Sequence, residues 1–373
     1  MTMRSFISGN DAVAAAVRLA APEVISAYPI TPQTTVIERL AEYVESGGLD
    51  AEYIHVESEH SAMSAAMGAS LAGVRTFTAT SSQGLLYMAE LLPYAAGGRF
   101  PIVMMNANRS LALPWNIYGD QRDSLSQLDC GWIQAYAENA QEALDMTLMA
   151  YYIAENERVR VPFMVNLDGF HLTHTYEVVE IPSQKQADEF LPRFETENKI
   201  DFDRPKNFGF SAGPDWNAQF HREHHEAMLR STQVIAEAED KFARIFGRKY
   251  SGALDAYRCD DAEYILVTLG CVSGICRQVT DALREEGVRA GVLRIRYMRP
   301  FALDEIRAIL APARASAVLE KDISFGNAGT VFTNVGAAAM NVIGGLGGAD
   351  ISREHVRSIF VRLKNGENGV IWL

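Results

Sequence analysis

The chain has 373 residues, of which 48% are hydrophobic and 22% are charged; this is the composition of a globular protein, and the length indicates two domains. The 34 basic and 47 acidic side chains give a formal net charge of −13, so we expect neither nucleic acid nor a membrane surface as a partner, since both are anionic. No apolar run is long enough to cross a bilayer and the first residues lack the apolar core of a secretory signal, which predicts a cytoplasmic protein.

The first half of the chain alternates between predicted strands and predicted helices. Ser8 and Asp11 form a capping-box pattern before an alanine-rich stretch at 12–21, which predicts a helix. Short apolar runs predict strands over 24–28, 53–56, 74–79, 101–105 and 162–167. Longer stretches predict helices over 34–45, 59–71, 85–96 and 140–155. This alternation is typical of a parallel sheet covered by helices on both faces.

Polar side chains follow four of these predicted strands. Thr31 follows the first strand, Glu57 and Glu59 follow the second, residues 81–83 follow the third, and Arg109 follows the fourth. Ligands bind outside the carboxyl ends of parallel strands, so we expect these side chains to form a site at one edge of the sheet. The alternative interpretation is that they are ordinary polar turns.

The second half begins with a change in sequence character. Residues 176–217 carry four prolines in weakly periodic sequence, which predicts a long crossing segment, and a helix over 220–246 is expected to lie on the surface. Further strands are predicted over 264–269, 291–295 and 317–320, and a glycine run at 344–348 is expected to end the last strand. The predicted divisions are a first domain at 1–175, a crossing segment with the long helix at 176–258, and a second domain at 259–373.

The cysteines and histidines predict no metal site on this chain. Neither the C-x-x-C pairs of zinc sites nor the closely spaced thiolates of an iron–sulfur cluster occur. His221 and His225 are one helical turn apart, but Arg222 occupies the position where a zinc protease needs Glu. The four cysteines are Cys130, Cys259, Cys271 and Cys276.

At the predicted strand ends the sequence is similar to that of a known family. The matching segments are YPITP at 28–32, VESEHS at 56–61, TSSQG at 80–84, NR at 108–109 and NIYGD at 116–120. Further matches occur at 131–134, 139–142, 167–170, 299–301, 324–326 and 345–348. These motifs span nearly the whole chain, and they make it resemble the α subunit of thiamine-dependent 2-oxoacid:ferredoxin oxidoreductases. Within that family the resemblance is to the pyruvate:ferredoxin oxidoreductase (pyruvate synthase) type.

The resemblance implies an α/β fold with two parallel-sheet domains, one pyrimidine-binding and one like the C-terminal domain of transketolase. It implies thiamine diphosphate shared with a β subunit, which holds the diphosphate through Mg²⁺, since this chain has no Gly-Asp-Gly motif of that kind. A ferredoxin-like subunit with [4Fe-4S] clusters and a γ-type subunit are further implied partners. The implied reaction converts a pyruvate-like 2-oxoacid and coenzyme A to acyl-CoA and CO₂, with electrons passing to ferredoxin or a related acceptor.

The resemblance also implies roles for individual residues. Glu59 matches the acid that exchanges a proton with N1′ of the aminopyrimidine, and Glu57 is the less favoured candidate. Arg109 matches an arginine that binds the substrate carboxylate, and Thr31 matches a threonine that donates to a substrate oxygen. The expected cofactor contacts are Pro29, Ser82 and Gln83, and the expected secondary substrate contacts are Asn108 and Asn116.

Other functions stay open at this point. Gln121 stands where pyruvate enzymes often carry His, and Leu113 and Trp115 lie nearby. These differences leave room in the pocket for an arylglyoxylate such as phenylglyoxylate as the substrate. In that alternative the electrons would pass through a flavin subunit to NAD. Thr31 argues against oxalate, since the oxalate-specific branch carries an arginine there. The remaining alternatives are a non-catalytic scaffold subunit and a thiamine enzyme that transfers its acyl group to lipoamide.

Overall fold

A computed structural model describes residues 3–209 and 211–373 of the chain. The strands are β1 Met3–Ser8, β2 Val24–Ala27, β3 Glu52–His55, β4 Thr76–Thr80, β5 Val103–Asn108, β6 Ile133–Tyr136, β7 Phe163–Asp168, β8 Tyr176–Ile181, β9 Leu254–Tyr257, β10 Tyr264–Leu269, β11 Ala290–Ile295, β12 Tyr297–Arg299, β13 Ala315–Glu320, β14 Met340–Ile343 and β15 Gly369–Trp372. The α-helices are α1 Gly9–Ala20, α2 Thr34–Glu45, α3 Glu59–Leu71, α4 Ser82–Tyr87, α5 Leu91–Gly97, α6 Arg122–Leu125, α7 Ala140–Glu155, α8 Gln184–Phe190, α9 Pro214–Phe246, α10 Val272–Glu285, α11 Leu303–Leu310, α12 Thr330–Val335 and α13 Arg353–Lys364.

The first large sheet has the strand order β12-β6-β7-β5-β4-β2-β3. Its strands run parallel except for β12, which pairs antiparallel with β6. Every residue of β4, β5 and β7 is buried, as expected for a parallel sheet covered on both faces. The capping box of Ser8 and Asp11 is present at the start of α1, and the small alanine side chains of this helix pack against α7.

The second large sheet has the order β15-β14-β13-β10-β11-β9, parallel except for β9, and a separate ribbon pairs β1 with β8 antiparallel. The predicted α/β fold with two mostly parallel sheets is confirmed. None of the helices in the described residues is both long and apolar enough to span a bilayer.

The structure corrects several predicted elements. The helix expected over 85–96 is two helices, α4 and α5, because Pro93 has no N–H group and is tolerated only in the first turn of a helix. The glycine run at 344–348 does not end the last strand, since α13 and β15 follow it. Buried residues at 356, 359, 360 and 363 give α13 the period of an amphipathic helix, and no helix was predicted there.

The long helix α9 does not lie wholly on the surface. It begins at Pro214, earlier than predicted, and it contacts α7. From Ala227 onward one face of the helix is buried, at positions that include Ala227, Val234, Ala238 and Phe242. The crossing segment before it contains a strand, β8, and a helix, α8.

A buried ionic cluster joins the two large sheets. Glu142 on α7 accepts hydrogen bonds from Arg294 (2.5 Å) at the end of β11 and from Arg296 (2.9 Å) just beyond it. Arg296 also bonds Glu239 on α9 at 2.5 Å. Burial alone would raise the pKa of Glu142, but the two arginines outweigh burial and lower it to about 2. The charges therefore hold the two sheets in one arrangement.

Candidate active site

The residues predicted from the strand ends lie along one edge of the first sheet. Strands β5, β4, β2 and β3 are neighbours in that order, and all four run in the same direction. Direct contacts connect the segments that follow them: Arg109 Nη1 donates to the Thr31 carbonyl at 2.9 Å, and Ser82 Oγ lies 2.6 Å from the Ser110 carbonyl. The parallel topology thus brings residues from distant parts of the sequence to one place.

Glu59 is the first residue of α3, and it is buried with 8% of its surface exposed. Its carboxylate packs against Gly84 on α4, where an added Cβ atom would lie 2.6 Å from Oε1. No hydrogen bond to this carboxylate occurs within the described residues. A buried acid without a partner is costly, so this carboxylate is available for a ligand atom.

Glu57 is in a different environment. Its side chain is exposed, and its Oε1 accepts a hydrogen bond from Ser61 Oγ at 2.5 Å. That hydrogen bond holds the pKa of Glu57 below its usual value. Glu57 is therefore a satisfied surface acid, which agrees with its lower rank in the sequence analysis.

Arg109 is 6% exposed at the end of β5. Its Nη1 group donates to the Thr31 carbonyl at 2.9 Å, and its Nε donates to the Asn116 carbonyl at 3.2 Å. The ring of Trp115 lies 5.5 Å from the guanidinium carbon, and burial lowers the pKa of Arg109. The Nη2 group has no hydrogen-bond partner among the described residues, so it can bind a carboxylate.

Thr31 and Pro29 are both exposed on the segment after β2. The Thr31 backbone carbonyl is bound by Arg109, whereas its hydroxyl makes no hydrogen bond in the part of the chain that the structure describes. The hydroxyl is consequently free to donate to a ligand.

Ser82 and Gln83 are the first two residues of α4, directly after β4, and they differ in which groups are free to bind a ligand. Ser82 is buried, its N–H donates to Asp123 Oδ2 at 3.0 Å, and its hydroxyl lies 2.6 Å from both the Ser110 carbonyl and Gln83 Oε1. Its φ of 52° lies in the left-handed region, which is uncommon for a residue with a side chain. The Ser82 hydroxyl is therefore engaged by the protein, and the Gln83 amide nitrogen is the free donor of this turn.

Asn108 and Asn116 have amide groups that bind protein atoms. Asn108 Nδ2 donates to Asp123 Oδ1 and to Ser124 Oγ, both at 2.7 Å. Asn116 Nδ2 donates to the carbonyl of Gly347, in the loop after β14, at 3.1 Å. Both amide NH₂ groups support the backbone around Arg109 and do not point freely into the site.

Asp123 on α6 was not identified from the sequence. It is fully buried and accepts five hydrogen bonds, from the N–H groups of Ser82, Arg109 and Ser124 and from the side-chain amides of Asn106 and Asn108. Burial raises the pKa of Asp123 to about 6 even though these donors lower it. Residues 121–124, QRDS, have the composition of a polar turn, so no local pattern distinguishes this acid from a surface one.

The second sheet closes one side of the site. Asp168, at the carboxyl end of β7, is buried and lies 3.1 Å from Lys321 Nζ at the end of β13. It also accepts from the Cys271 N–H at 2.7 Å and lies 3.3 Å from Gln121 Nε2. Burial raises the pKa of Asp168, and Lys321 and the hydrogen bonds bring it below its usual value. The two sheets therefore meet with their carboxyl edges around the 109–123 loop.

Comparison with known proteins identifies the family. A family model for the thiamine diphosphate-binding domain of pyruvate flavodoxin/ferredoxin oxidoreductase matches residues 15–240, and one for core domain II of pyruvate:ferredoxin oxidoreductase matches residues 262–356. Pyruvate synthase subunit PorA of Methanothermobacter thermautotrophicus is 49% identical over 98% of this chain and 97% of its own length. Ketoisovalerate oxidoreductase subunit VorA of Pyrococcus furiosus is 44% identical over 96% of this chain and 93% of its own length.

A solved structure shares the fold. It is the 2-oxoglutarate:ferredoxin oxidoreductase of Magnetococcus marinus with 2-oxoglutarate, coenzyme A and succinyl-CoA bound, which superposes with a TM-score of 0.75 at 20% identity. The match covers 98% of this chain and 65% of that one. The fold expected from the resemblance is thereby confirmed. Two family models in sequence order and near-full-length relatives at 49% identity show that this chain belongs to the α-subunit family of 2-oxoacid:ferredoxin oxidoreductases.

Proposed function

We propose that this chain and a β subunit together form the active site of a pyruvate:ferredoxin oxidoreductase, which converts pyruvate and coenzyme A to acetyl-CoA, CO₂ and a proton, with two electrons passing to ferredoxin or a related acceptor. The observation that carries the proposal is the buried, unpaired carboxylate of Glu59 at the carboxyl edge of the first sheet. Pyruvate is favoured because PorA relatives are 46% to 49% identical to this chain, whereas VorA relatives are 42% to 44% identical.

The side chains at this edge fit the aminopyrimidine half of thiamine diphosphate. Glu59 is a buried acid that lacks a partner, and Gly84 leaves space for its carboxylate. Gln83 offers a free amide, and Pro29 lies exposed beside the same edge. When bound, the coenzyme supplies a nucleophilic carbon and an electron sink for the decarboxylation. We assign its diphosphate and Mg²⁺ to the β subunit, because this sequence has no Gly-Asp-Gly motif for them.

Each residue has a separate task in this proposal. Glu59 holds a proton at N1′ of the aminopyrimidine, in a place from which bulk water is largely excluded. Arg109 binds the substrate carboxylate through Nη2, while its other nitrogens are held by the Thr31 and Asn116 carbonyls. The Thr31 hydroxyl donates to the keto oxygen. The carboxylate and keto oxygen of a small 2-oxoacid are thus held by neighbouring groups.

The electron-transfer groups belong to partner subunits in this proposal. Iron–sulfur ligation normally takes closely spaced cysteine thiolates, and no group of three or more His, Cys, Asp or Glu side chains that could hold a metal ion occurs among residues 3–209 and 211–373. We therefore assign the [4Fe-4S] clusters to a ferredoxin-like subunit, and we include a γ-type subunit in a cytoplasmic complex. We also propose domain limits of 1–175 and 259–373, with the crossing segment and long helix at 176–258.

Replacing Glu59 by Gln in the assembled enzyme tests the proposal. Without an ionisable proton at this position, acyl-CoA formation should fall by about 10² to 10⁴-fold, the usual contribution of a positioned acid or base. Glu57→Gln is the matched control, because this neighbouring acid is exposed and bonded to Ser61. Near-normal activity of Glu59→Gln, or an equal loss in Glu57→Gln, would contradict the assigned role.

The substrate is tested separately by the wild-type complex. Steady-state rates with pyruvate, 2-oxoisovalerate, 2-oxoglutarate and phenylglyoxylate should give the highest kcat/KM with pyruvate. A higher value for another member of this panel would refute pyruvate as the substrate. Reduction of ferredoxin, as opposed to transfer to a lipoyl protein, identifies the acceptor.

A further inference from the structure

The Asp123 carboxylate connects the two turns that carry the proposed site. Its Oδ2 atom accepts from the Ser82 N–H at 3.0 Å, the Arg109 N–H at 3.1 Å and Asn106 Nδ2 at 3.2 Å. Ser82 is the first residue of α4, whose first turn faces the cofactor in the proposal above, and Arg109 follows β5. A single oxygen atom therefore binds both backbone N–H groups, in addition to the β4–β5 pairing and the Ser82 Oγ contact with the Ser110 carbonyl.

The contacts of Asp123 do not explain why a charged side chain at this position would stabilise the fold. It is completely buried, and none of the ion pairs among residues 3–209 and 211–373 includes it. Its five hydrogen-bond donors are all N–H groups, and an uncharged side chain such as asparagine, with one acceptor oxygen, could accept from only some of them. Burying a carboxylate without a cationic partner is costly even when it is hydrogen-bonded, and buried acids with perturbed pKa values are concentrated at functional sites.

We propose that Asp123 is a positioning residue, which locks the Ser82–Gln83 turn to Arg109 and so fixes the separation of the cofactor-facing and substrate-facing groups. The inference rests on the proposed function of this site. A second oxygen supports the lock, because Oδ1 accepts from Asn108 Nδ2 at 2.7 Å and from the Ser124 N–H at 2.8 Å. Both oxygens are thus bound by donors from β5 and the residue after it, from the start of α4 and from α6.

Asp123→Asn is the informative substitution because it keeps the shape of the side chain. The new NH₂ group must face either the three donors at Oδ2 or the two donors at Oδ1, so at least two hydrogen bonds are lost in either orientation. Displacement of reacting groups by about 1 Å can cost about 100-fold in rate. We therefore expect kcat/KM for the 2-oxoacid to fall by about 100-fold, with KM raised and kcat lowered.

Glu320→Gln is the matched control. Glu320 is also a buried carboxylate bound by N–H donors, since it accepts from the Val331 and Phe332 N–H groups and from Asn341 Nδ2. All three partners lie in the region of the second sheet, so its replacement should affect the unfolding temperature and leave kcat and KM unchanged.

Amide hydrogen exchange in the assembled enzyme provides a readout besides activity. Asp123→Asn should accelerate exchange at both the Ser82 and Arg109 amides, and it should weaken the binding of thiamine diphosphate measured by calorimetry. Unchanged exchange at these amides, or a fall in kcat/KM no larger than that of the control Glu320→Gln, would overturn the proposal. Lack of any 2-oxoacid activity in the wild type would instead refute the proposed function.

Asn106→Ala is the variant to measure if the Asp123→Asn protein does not assemble with its partner subunits. It removes one donor from Oδ2 and leaves the carboxylate in place. One net hydrogen bond corresponds to a rise in KM of between about 2-fold and 10-fold. Faster exchange at Ser82 and Arg109 with such a rise supports the positioning role, and the absence of both changes refutes it.

Discussion

Gly84 offers a way to move the Glu59 carboxylate without changing the acid itself. In Gly84→Ala the added Cβ atom would lie 2.6 Å from Glu59 Oε1, 2.7 Å from Thr80 Oγ1 and 2.8 Å from Glu59 Cγ. Ordinary contacts begin at 3.4 Å, so the carboxylate must retreat by about 0.8 Å. The carboxylate is the end of a flexible side chain, and it is therefore the group that gives way.

The expected result separates activity from stability. A displacement near 1 Å in a reacting group can cost about 100-fold in rate, so we expect a loss of that order in acyl-CoA formation. The backbone of Gly84 lies outside the left-handed region, and alanine is favoured over glycine within a helix by about 0.5 to 1 kcal/mol. Overpacking against the buried Thr80 hydroxyl opposes this gain, at a cost of about 1 to 3 kcal/mol. The unfolding temperature should therefore fall by only a few degrees while activity falls by about two orders of magnitude.

Gly68→Ala is the control for this experiment. Gly68 lies on α3, the helix that carries Glu59, and an added Cβ atom there meets no other atom within 4 Å. Steady-state assays and thermal unfolding of the assembled enzyme should show full activity for Gly68→Ala. The reasoning would be refuted if Gly84→Ala kept more than half of the wild-type activity, or if its crystal structure showed the Glu59 carboxylate unmoved.

Two further predictions concern charged side chains. The pKa of Glu142 is about 2 in the folded chain and 4.5 ordinarily, so its stabilisation is complete above pH 4.5 and is lost as the pH falls toward 2. Between pH 6 and pH 3, the free energy of unfolding of the wild type should fall by about 2 kcal/mol relative to Glu142→Gln; parallel curves in urea titrations would contradict this. Arg109→Lys cannot keep both backbone bonds and a free donor, so KM for the 2-oxoacid should rise by about 10-fold or more; a KM within twofold of the wild type would exclude the carboxylate role.

Local sequence patterns were sufficient for five of the seven strands of the first sheet, β2, β3, β4, β5 and β7, and for the strand ends, whereas the short strands β6 and β12 were not predicted. The spacing of apolar residues, every second residue in a strand and every 3.6 residues in a helix, can be read from short stretches of sequence. Once the strands are known to be parallel, the segments that follow β2, β3, β4 and β5 must lie at the same edge of the sheet. Glu59, Arg109 and Thr31 could be selected in this way, together with the family resemblance. Their roles in catalysis stay predictions that the variants above test.

Residues that act through long-range contacts were not accessible from the sequence. Asp123 binds Ser82 across 41 positions in the chain, and Lys321 meets Asp168 across 153. An aspartate in a polar turn has the same local sequence whether it is exposed or buried, because burial depends on what the rest of the chain packs against it. The sequence alone therefore determined the family, the alternation of strands and helices and the candidate acid. Only the tertiary structure decided which amides are engaged, which donors stay free, and that Asp123 joins the two halves of the site.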